Sequence, residues 1–343
     1  MPRTTLLQHW VQKLFAEQFP GEHIPLQPAS ADASFRRYFR LTLPDTSTRI
    51  VMDAPPEKED CRPFLRVAAL FRRAGTHVPE VLANDLEQGF LLLSDLGSTT
   101  YLHALADRST AARLYRDANS ALIAIQLASQ PGQLPEYDHA LLSRELALFP
   151  EWYLQRHLGL TVDTTVDRDL HAVFAALLAN NLRQPRVFVH RDYHSRNLMV
   201  LGEGAAGFPA NPGILDFQDA VHGPLTYDLV SLYRDAYIDW PEEEELDFVI
   251  RYWEAARRAG LPVPGDFHDF YRDYEWMGVQ RQLKVLGIFA RLCHRDGKSD
   301  YVKDMPRVMA YLRRTCERYA ELVTIAKLCD RIAGQQPRVA FSF

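Results

Sequence analysis

A short polar stretch near the middle of the chain carries residue types that chemistry needs. Val189–Val200 reads VHRDYHSRNLMV, in which two histidines, an aspartate, two arginines and an asparagine occupy eight consecutive positions. Asp192 and Asn197 offer oxygen atoms of the kind that hard divalent cations prefer, and a carboxylate can also accept a proton from a hydroxyl group. The stretch is therefore a candidate catalytic or metal-binding loop.

The residues that follow predict a hairpin that brings a second carboxylate to this loop. The segments NLMVL and ILDF read as two strands around the Gly/Pro/Asn-rich connection GEGAAGFPANPG. In an antiparallel hairpin the first residue of one strand faces the last residue of the other, so we expect Asn197 to lie beside Asp216. With Asp192, this arrangement predicts a cluster of three oxygen-bearing side chains.

The spacing of these residues indicates phosphoryl transfer. His190, Arg191, Asp192 and Asn197 reproduce the H-R-D-x-x-x-x-N spacing of kinase catalytic loops, and Asp216 stands where the metal-binding aspartate follows a hairpin. In such a site Asp192 would orient and deprotonate the acceptor hydroxyl. Asn197 and Asp216 would hold Mg²⁺.

His190 is predicted to support the loop rather than to react. Its imidazole would tie the loop backbone to a neighbouring carboxylate, and Asp228 is the candidate because it opens a predicted helix after a Gly-Pro turn. The alternative for Asp228 is a carboxylate that only stabilises the first turn of that helix.

Two other interpretations of the same loop remain open. His190 and Asp192 could form the facial triad of a non-haem iron oxygenase with a distant histidine, either His222 or His268. The loop could also be a polar turn whose side chains are all satisfied locally. Neither interpretation explains the spacing of the asparagine and of the second aspartate.

Bulk properties exclude several classes of protein. The 343 residues carry a net charge of −5, so no global basic field points to nucleic acid or to anionic membranes. No apolar run has the length of a membrane helix, and the N-terminal segment lacks the apolar core of a signal peptide. The four cysteines show no Cys-x-x-Cys spacing. These features predict a cytoplasmic location.

The elements that position the loop change character along the chain. Short strand-like runs fill Ile24 to about Asp95 with one helical interruption, and helical patterns dominate after Gly97. We therefore expect a bilobal α+β fold: residues 1–93 as an N-lobe with an N-terminal helix, an antiparallel sheet and one further helix, 94–97 as a hinge, and 98–343 as a helical C-lobe that carries the catalytic loop and the metal-binding hairpin.

Six blocks spread over most of the chain carry a resemblance to a known family. The sequence resembles the aminoglycoside phosphotransferase/choline kinase superfamily of protein-kinase-like small-molecule kinases, and within it most closely the bacterial anomeric kinases of amino sugars. The resemblance implies a protein-kinase-like fold, ATP and Mg²⁺. It also implies phosphorylation of the anomeric hydroxyl of N-acetylmuramate, N-acetylglucosamine or both, in peptidoglycan recycling. The blocks are DASFRRYFR, VMDAPPEKED, GFLLLSDLG, VHRDYHSRNLMV, ILDFQDAVHGPLTYDLVSLYRDAYIDW and WMGVQRQLKVLGIFARLCHRDGK.

The chain departs from the wider kinase pattern at the phosphate-binding end. The strand that should carry a lysine reads IVMD, and SADASFRRYF replaces the Gly-rich loop. We expect Arg36, Arg37 or Arg40 to supply the missing charge unless these arginines form a solvated strand face. The nucleotide-binding residues predicted on this basis are Ser34, Phe35 and Arg36 at the phosphates and Ser94, Asp95 and Leu96 at the adenine.

The acceptor end is predicted from charge. The segment Gly278–Lys298 carries five Lys/Arg and one acidic residue, which suits an acidic sugar better than a polycationic antibiotic, although a solvated helix face would look the same. His194, Arg281 and Arg234 are the predicted substrate-binding residues, and the oligomeric state is not predicted. The alternatives for function are a kinase of another alcohol, such as an aminoglycoside, choline or a different sugar, and a pseudokinase-like binding module, suggested by the missing lysine.

Overall fold

Two compact units make up the structure, a computed structural model that describes residues 2–31, 35–202 and 211–334. The first unit comprises Met1–Thr100 and Leu198–Asp219, and the second comprises Tyr101–Asn197 and Ala220–Phe343. The first unit holds an antiparallel sheet and the second is mainly helical, so the predicted α+β fold with two lobes is confirmed. In the described ranges, no helix is both long enough and apolar enough to cross a membrane.

The first unit is built on a five-stranded antiparallel sheet in the order β1-β2-β3-β5-β4. The short strand-like runs predicted from the sequence form its strands, and the predicted helix between them forms α2. The elements are α1 (Arg3–Phe15), β1 (Gln27–Ala31), β2 (Arg37–Thr42), β3 (Thr48–Asp53), α2 (Arg62–Arg73), β4 (Val81–Asp85) and β5 (Phe90–Ser94).

Helix α1 covers one face of this sheet. Leu7, Val11 and Phe15 recur every four residues, which places them on one side of the helix, and all three are buried in a core with Val51 and Phe90 of the sheet. The unit therefore has its own hydrophobic core.

The predicted hairpin groups with the first unit, whereas the sequence analysis had assigned it to the helical C-lobe. Its strands are β7 (Leu198–Met199) and β8 (Gly213–Ile214), and they pair in antiparallel register with Leu198 opposite Ile214. The amide of Ile214 donates to the carbonyl of His77 at 2.7 Å, and the ring of Phe217 lies 4.7 Å from that of Phe64. These contacts attach the hairpin to the sheet unit.

The second unit contains nine α-helices, a π-helical segment and a two-stranded sheet in its described residues. The strands β6 and β9 pair antiparallel, and the 30-residue α9 is the longest helix. The elements are α3 (Tyr101–Ala104), α4 (Ala111–Leu127), α5 (His139–Leu146), the π-helical segment (Phe149–His157), α6 (Thr164–Arg183), β6 (Arg186–Val189), β9 (Val221–Pro224), α7 (Tyr227–Tyr233), α8 (Glu242–Arg258), α9 (Phe267–Asp296), α10 (Met305–Cys316) and α11 (Val323–Ile332).

Helix α9 approaches the chain before the π-helical segment closely at Gly287. A Cβ atom at this position would lie 2.6 Å from the backbone of Leu148, which has no flexible end that could move away. We expect Gly287→Ala to lower the free energy of unfolding by about 1–3 kcal/mol, because overpacking forces backbone shifts. Urea unfolding measures the loss. The control is Gly265→Ala, where no atom lies within 4 Å of the added carbon, and an equal loss at both sites would contradict the prediction.

Candidate active site

The candidate catalytic loop starts from a buried strand. Val187, Phe188 and Val189 of β6 are each at most 2% exposed, and Val189 pairs with Val221 of β9. The chain leaves the sheet at the next residue, His190. Because β6 lies in the core of the second unit, the first residues of the loop have a defined position.

One carboxylate holds the two first residues of the loop. Asp228, in the first turn of α7, accepts hydrogen bonds from the backbone N–H groups of His190 at 2.6 Å and of Arg191 at 2.9 Å. Burial raises the pKa of Asp228 to about 7, although both hydrogen bonds oppose this shift. Arg191 has a φ of +79°, a left-handed conformation that is costly for a residue with a side chain. Asp228 therefore contacts the loop, as one of the two interpretations expected, and also lies in the first turn of a helix, as the other expected.

The imidazole of His190 contacts the loop that it belongs to. Its Nδ1 accepts a hydrogen bond from the backbone N–H of Asp192 at 3.2 Å, and its ring meets Tyr193 edge-on at 5.6 Å. His190 is fully buried. This hydrogen bond orients the peptide group that precedes the side chain of Asp192, the candidate base.

Asp192 presents a partly exposed carboxylate among buried cations. Its side chain is 42% exposed, and the Nη2 of Arg281 lies 3.9 Å from its Oδ1. Desolvation opposes ionisation, but the charges of Lys284 and Arg281 prevail and lower the pKa of Asp192 to about 2. Asp192 is therefore ionised at neutral pH and can accept a hydrogen bond from a hydroxyl group.

A buried ion network supports the loop from α5 and α9. Glu145 accepts from the guanidinium of Arg191 at 2.5 Å and from the ammonium of Lys284 at 2.9 Å, and Tyr137 donates its hydroxyl to the same carboxylate. Lys284 also donates to the hydroxyl of Tyr227 at 2.8 Å. The network holds the strained residue that precedes Asp192.

The far end of the loop is fixed by its own backbone and by Asp235. The amide nitrogen of Asn197 donates to the carbonyl of Asp192 at 3.0 Å, and Asp235 accepts from the N–H of Ser195 at 2.9 Å. The ring of His194 packs edge-on against Tyr237. Burial lowers the pKa of His194, which favours its neutral form.

In the first unit, Asp216 follows the hairpin in a left-handed conformation, with a φ of +60°. Its carboxylate accepts a hydrogen bond from Gln218 at 2.9 Å, and the Nη2 of Arg36 lies 3.7 Å from its Oδ1. The neighbouring Phe217 is fully buried against Phe64 of α2. Burial of this ring anchors the segment that carries the aspartate.

The structure separates the three arginines considered for phosphate binding. Arg37 pairs with the buried carboxylate of Asp53, which also accepts from Arg3 at 2.6 Å, and Arg40 binds Asp95 through two hydrogen bonds. Arg36 alone of the three lies near Asp216, and its side chain is 10% exposed. Arg36 is therefore the arginine best placed to act with that aspartate.

The other predicted nucleotide contacts are described only in part, because Ser34 lies outside the described residues. Phe35 is 63% exposed, and its N–H donates to Glu59 at 3.3 Å. The N–H of Ser94 donates to the carbonyl of Glu80 at 2.9 Å. The carboxylate of Asp95 is held by Arg40, as described above.

Leu96 is described through its contact with the hairpin. Its side chain approaches Gly213 so closely that a Cβ atom there would lie 3.0 Å from Leu96 Cδ1. This contact lies entirely within the first unit.

The predicted substrate contact at Arg234 is not supported by its position. The guanidinium is fully buried and donates to Glu245 at 2.6 Å, to Thr315 at 2.8 Å and to Glu275 at 3.1 Å. These partners lie on α8, α10 and α9. Arg234 therefore links helices within the core of the second unit.

The described ranges contain no cluster of side chains of the kind that an iron site would need. Across residues 2–31, 35–202 and 211–334, no three His, Cys, Asp or Glu side chains are grouped as potential metal ligands. His222 lies 3.3 Å from Glu136, and His268 lies in the first turn of α9.

Sequence reasoning missed the residues that hold the loop from a distance. Glu145 and Tyr137 contact Arg191 of the loop but stand in no recognisable motif, and Asp235 lies in a block that carries the resemblance without a predicted role. Lys284 stood on the predicted basic helix face, but no spacing distinguished it from exposed lysines.

Comparison of the sequence with protein families identifies the chain as a phosphotransferase. A model of the phosphotransferase enzyme family matches residues 25–264, more than half of the 343 residues, and the chain belongs to this family. The predicted resemblance to the aminoglycoside phosphotransferase/choline kinase superfamily is confirmed. The protein is an enzyme.

Curated relatives extend over the whole chain. The N-acetylmuramate/N-acetylglucosamine kinase of Pseudomonas aeruginosa is 52% identical over 324 residues, which cover 94% of this chain and 93% of that protein. The protein of the same name from Neisseria meningitidis is 47% identical over 347 residues and covers both chains completely.

Solved structures share the fold at low sequence identity. A putative aminoglycoside phosphotransferase from Ralstonia eutropha has a TM-score of 0.62 at 14% identity and covers 94% of this chain and 98% of its own. The choline kinase LicA from Streptococcus pneumoniae also has a TM-score of 0.62, at 13% identity, and covers 90% and 99%. These similarities concern the fold alone.

We expect Asp228→Asn to disturb the loop, because an amide nitrogen cannot accept the N–H bond that the lost oxygen accepted. The expected loss is about 1–3 kcal/mol in the free energy of unfolding, with a fall in kcat that exceeds any change in KM. Urea unfolding and steady-state kinetics measure the two effects. Asp163→Asn is the matched control, since Asp163 also accepts two backbone N–H bonds but at an exposed helix N-terminus, where asparagine caps equally well. Equal effects at both positions would contradict the assigned role.

Proposed function

We propose that the protein is an ATP- and Mg²⁺-dependent kinase that phosphorylates the anomeric hydroxyl of an amino sugar, N-acetylmuramate, N-acetylglucosamine or both. The names of relatives at 47–52% identity support the acceptor. The observation that carries the proposal is the ionised, partly exposed carboxylate of Asp192 on a loop with kinase spacing. The 1-phosphate product fits the recycling of peptidoglycan sugars, which is the cellular role that we propose.

In the proposed reaction Asp192 accepts the hydrogen bond of the acceptor hydroxyl and aims its oxygen at the phosphoryl group. A carboxylate with a pKa of about 2 is a weak base, so its main contribution is orientation, and it takes the proton as the new bond forms. The hydrogen bond from the N–H of Arg191 to Asp228 and the ion pair of Arg191 with Glu145 keep the carboxylate of Asp192 in place.

Asn197 and Asp216 are the residues that we propose to hold Mg²⁺. Their oxygen atoms suit this cation, and the amide group of Asn197 would coordinate it through its oxygen. In the sequence, Asn197 directly precedes the first strand of the hairpin, and Asp216 follows the second strand by two residues. Bound Mg²⁺ neutralises charge on the phosphoryl group that is transferred.

The nucleotide would be bound by the first unit. Arg36 replaces the missing lysine in our proposal, because Arg37 and Arg40 are committed to Asp53 and Asp95. The backbone N–H groups of Ser34 and Phe35 would cover the phosphates, and the segment Ser94–Leu96 would contact the adenine. At the acceptor, His194 and Arg281 are the proposed sugar contacts.

The proposal is tested by ³¹P NMR with Mg-ATP and one acceptor at a time. The acceptors are N-acetylmuramate, N-acetylglucosamine, an aminoglycoside and choline. We expect a sugar 1-phosphate signal with the amino sugars, and a fall in rate of about a hundred- to ten-thousandfold in Asp192→Asn, since a positioned base is lost. Turnover of the aminoglycoside or of choline alone would contradict the proposal that the acceptor is an amino sugar. Absence of all turnover would favour the binding-module alternative.

Arg36→Ala tests the phosphate contact. Loss of charge-assisted hydrogen bonds to phosphate is expected to raise the KM for ATP about tenfold to a hundredfold with little change in the KM for the sugar. The matched control is Arg37→Ala, which removes a neighbouring arginine engaged with Asp53 and should leave the KM for ATP unchanged. An unchanged KM for ATP in Arg36→Ala would disprove the assignment.

A further inference from the structure

Among the lysine and arginine side chains in the described part of the chain, three are buried, and two of these have close carboxylate partners. Arg234 is 4% exposed and pairs with Glu245 at 2.6 Å, and Lys284 is 5% exposed and pairs with Glu145 at 2.9 Å. The third is Arg281, at 6% exposure. A buried cation is costly unless it is paired and hydrogen-bonded, so the surroundings of Arg281 are informative.

Arg281 lacks such a partner among the described residues. The carboxylate nearest to its guanidinium is that of Asp192, at 3.9 Å, which is beyond hydrogen-bond length. No hydrogen bond from the guanidinium to any described residue is present, and the ring of Tyr227 lies 5.6 Å from its central carbon. The guanidinium, which carries five N–H donors, thus lies beside the candidate base at a distance that leaves room for a direct hydrogen bond to a ligand.

A second polar atom near Asp192 is also unsatisfied. The Nδ1 of His194 is buried and makes no hydrogen bond with the described residues, and the ring lies close enough to Asp192 and Arg281 to feel both charges. Native proteins rarely bury polar atoms without partners, and a nitrogen in this position beside Asp192 can accept a hydrogen bond from a bound ligand or donate one to it. The region around the candidate base is therefore prepared for a polar group from outside the chain.

The group that fits Arg281 is an anion, and two sources are conceivable. The transferred phosphoryl group already has Mg²⁺ and Arg36 to neutralise it in the proposed function. An acidic sugar, however, brings a second carboxylate towards that of Asp192. Two carboxylates close together in a protein repel each other unless a cation neutralises one of them. Arg281 lies 3.9 Å from the carboxylate of Asp192, close enough to neutralise a second carboxylate beside it, and its planar fork matches a carboxylate.

We propose that Arg281 binds the carboxylate of an acidic amino-sugar acceptor and thereby sets the preference between acidic and neutral acceptors. This inference rests on the proposed function. N-acetylmuramate carries a lactyl carboxylate and N-acetylglucosamine does not, so only the first sugar uses the guanidinium fully. The neutral imidazole of His194 can form a hydrogen bond with either sugar, because that bond does not require a charged group on the sugar.

The test compares the two sugars in wild-type protein, Arg281→Gln and Arg281→Lys at saturating Mg-ATP. Arg281→Gln should lower kcat/KM for N-acetylmuramate relative to N-acetylglucosamine by about tenfold to a hundredfold, chiefly through KM. Arg281→Lys should restore part of the loss, because lysine keeps the charge but not the fork. An equal loss with both sugars, or no loss with either, would overturn the inference.

Arg295→Gln on the same helix is the control. Arg295 is exposed and pairs with the adjacent Asp296 at 2.7 Å, so its replacement removes one positive charge from α9 without touching the site. The ratio of the two kcat/KM values should remain at the wild-type level. If it fell as in Arg281→Gln, general charge rather than a specific contact would be responsible.

A change in the ligand gives a second test, in which two compounds are compared on the same protein preparation, so that a lower folded fraction of a variant cancels from the ratio. The carboxamide of N-acetylmuramate has the shape of the acid without its charge. Wild-type protein should prefer the acid by the same factor that Arg281→Gln loses, and the variant should not distinguish the two compounds. An equal preference in both proteins would overturn the inference. Failure of the proposed function would look different, since wild-type protein would phosphorylate neither sugar.

Discussion

The N–H groups of two consecutive residues, His190 and Arg191, converge on the single buried carboxylate of Asp228. A buried N–H without a partner costs free energy, so the loop keeps the one conformation in which both are satisfied. In that conformation Arg191 is left-handed and its guanidinium reaches Glu145. The direction of the next side chain, that of Asp192, follows from these constraints, and so does every role proposed for the loop.

The buried lysine and arginine side chains of the helical unit differ in whether they have close partners. Arg234 and Lys284 are enclosed by carboxylates, phenol groups and a threonine, so their charges act as internal braces. Arg281 lies on the same helix as Lys284, less than one turn away, but has no close partner in the described residues. Because Arg281 and Lys284 lie on one face of the helix, the difference between them comes from their partners and not from their position on the helix.

Much of the fold and the centre of the site could be predicted from the sequence because they depend on local patterns. The loop chemistry lies within eight residues, and turn residues separated the two strands of the hairpin. The supporting residues could not be found in this way. Glu145 stands 46 residues before Arg191, and only folding brings them together. Arg234 was predicted as a sugar contact, and the sequence did not reveal its buried partner. That partner, Glu245, stands among four consecutive glutamates, of which it is the one that is buried.

The left-handed backbone of Arg191 has a consequence for selection on this protein. Glycine would adopt that conformation without the cost of about 1 kcal/mol that a side chain incurs, but it would also remove the guanidinium that binds Glu145. The backbone and the ion pair therefore favour different residues at one position. Laboratory evolution that rewarded only heat resistance would weigh backbone relief against a buried pair, whereas evolution that rewarded turnover would retain the arginine. Position 191 is thus a place where the two pressures can be told apart.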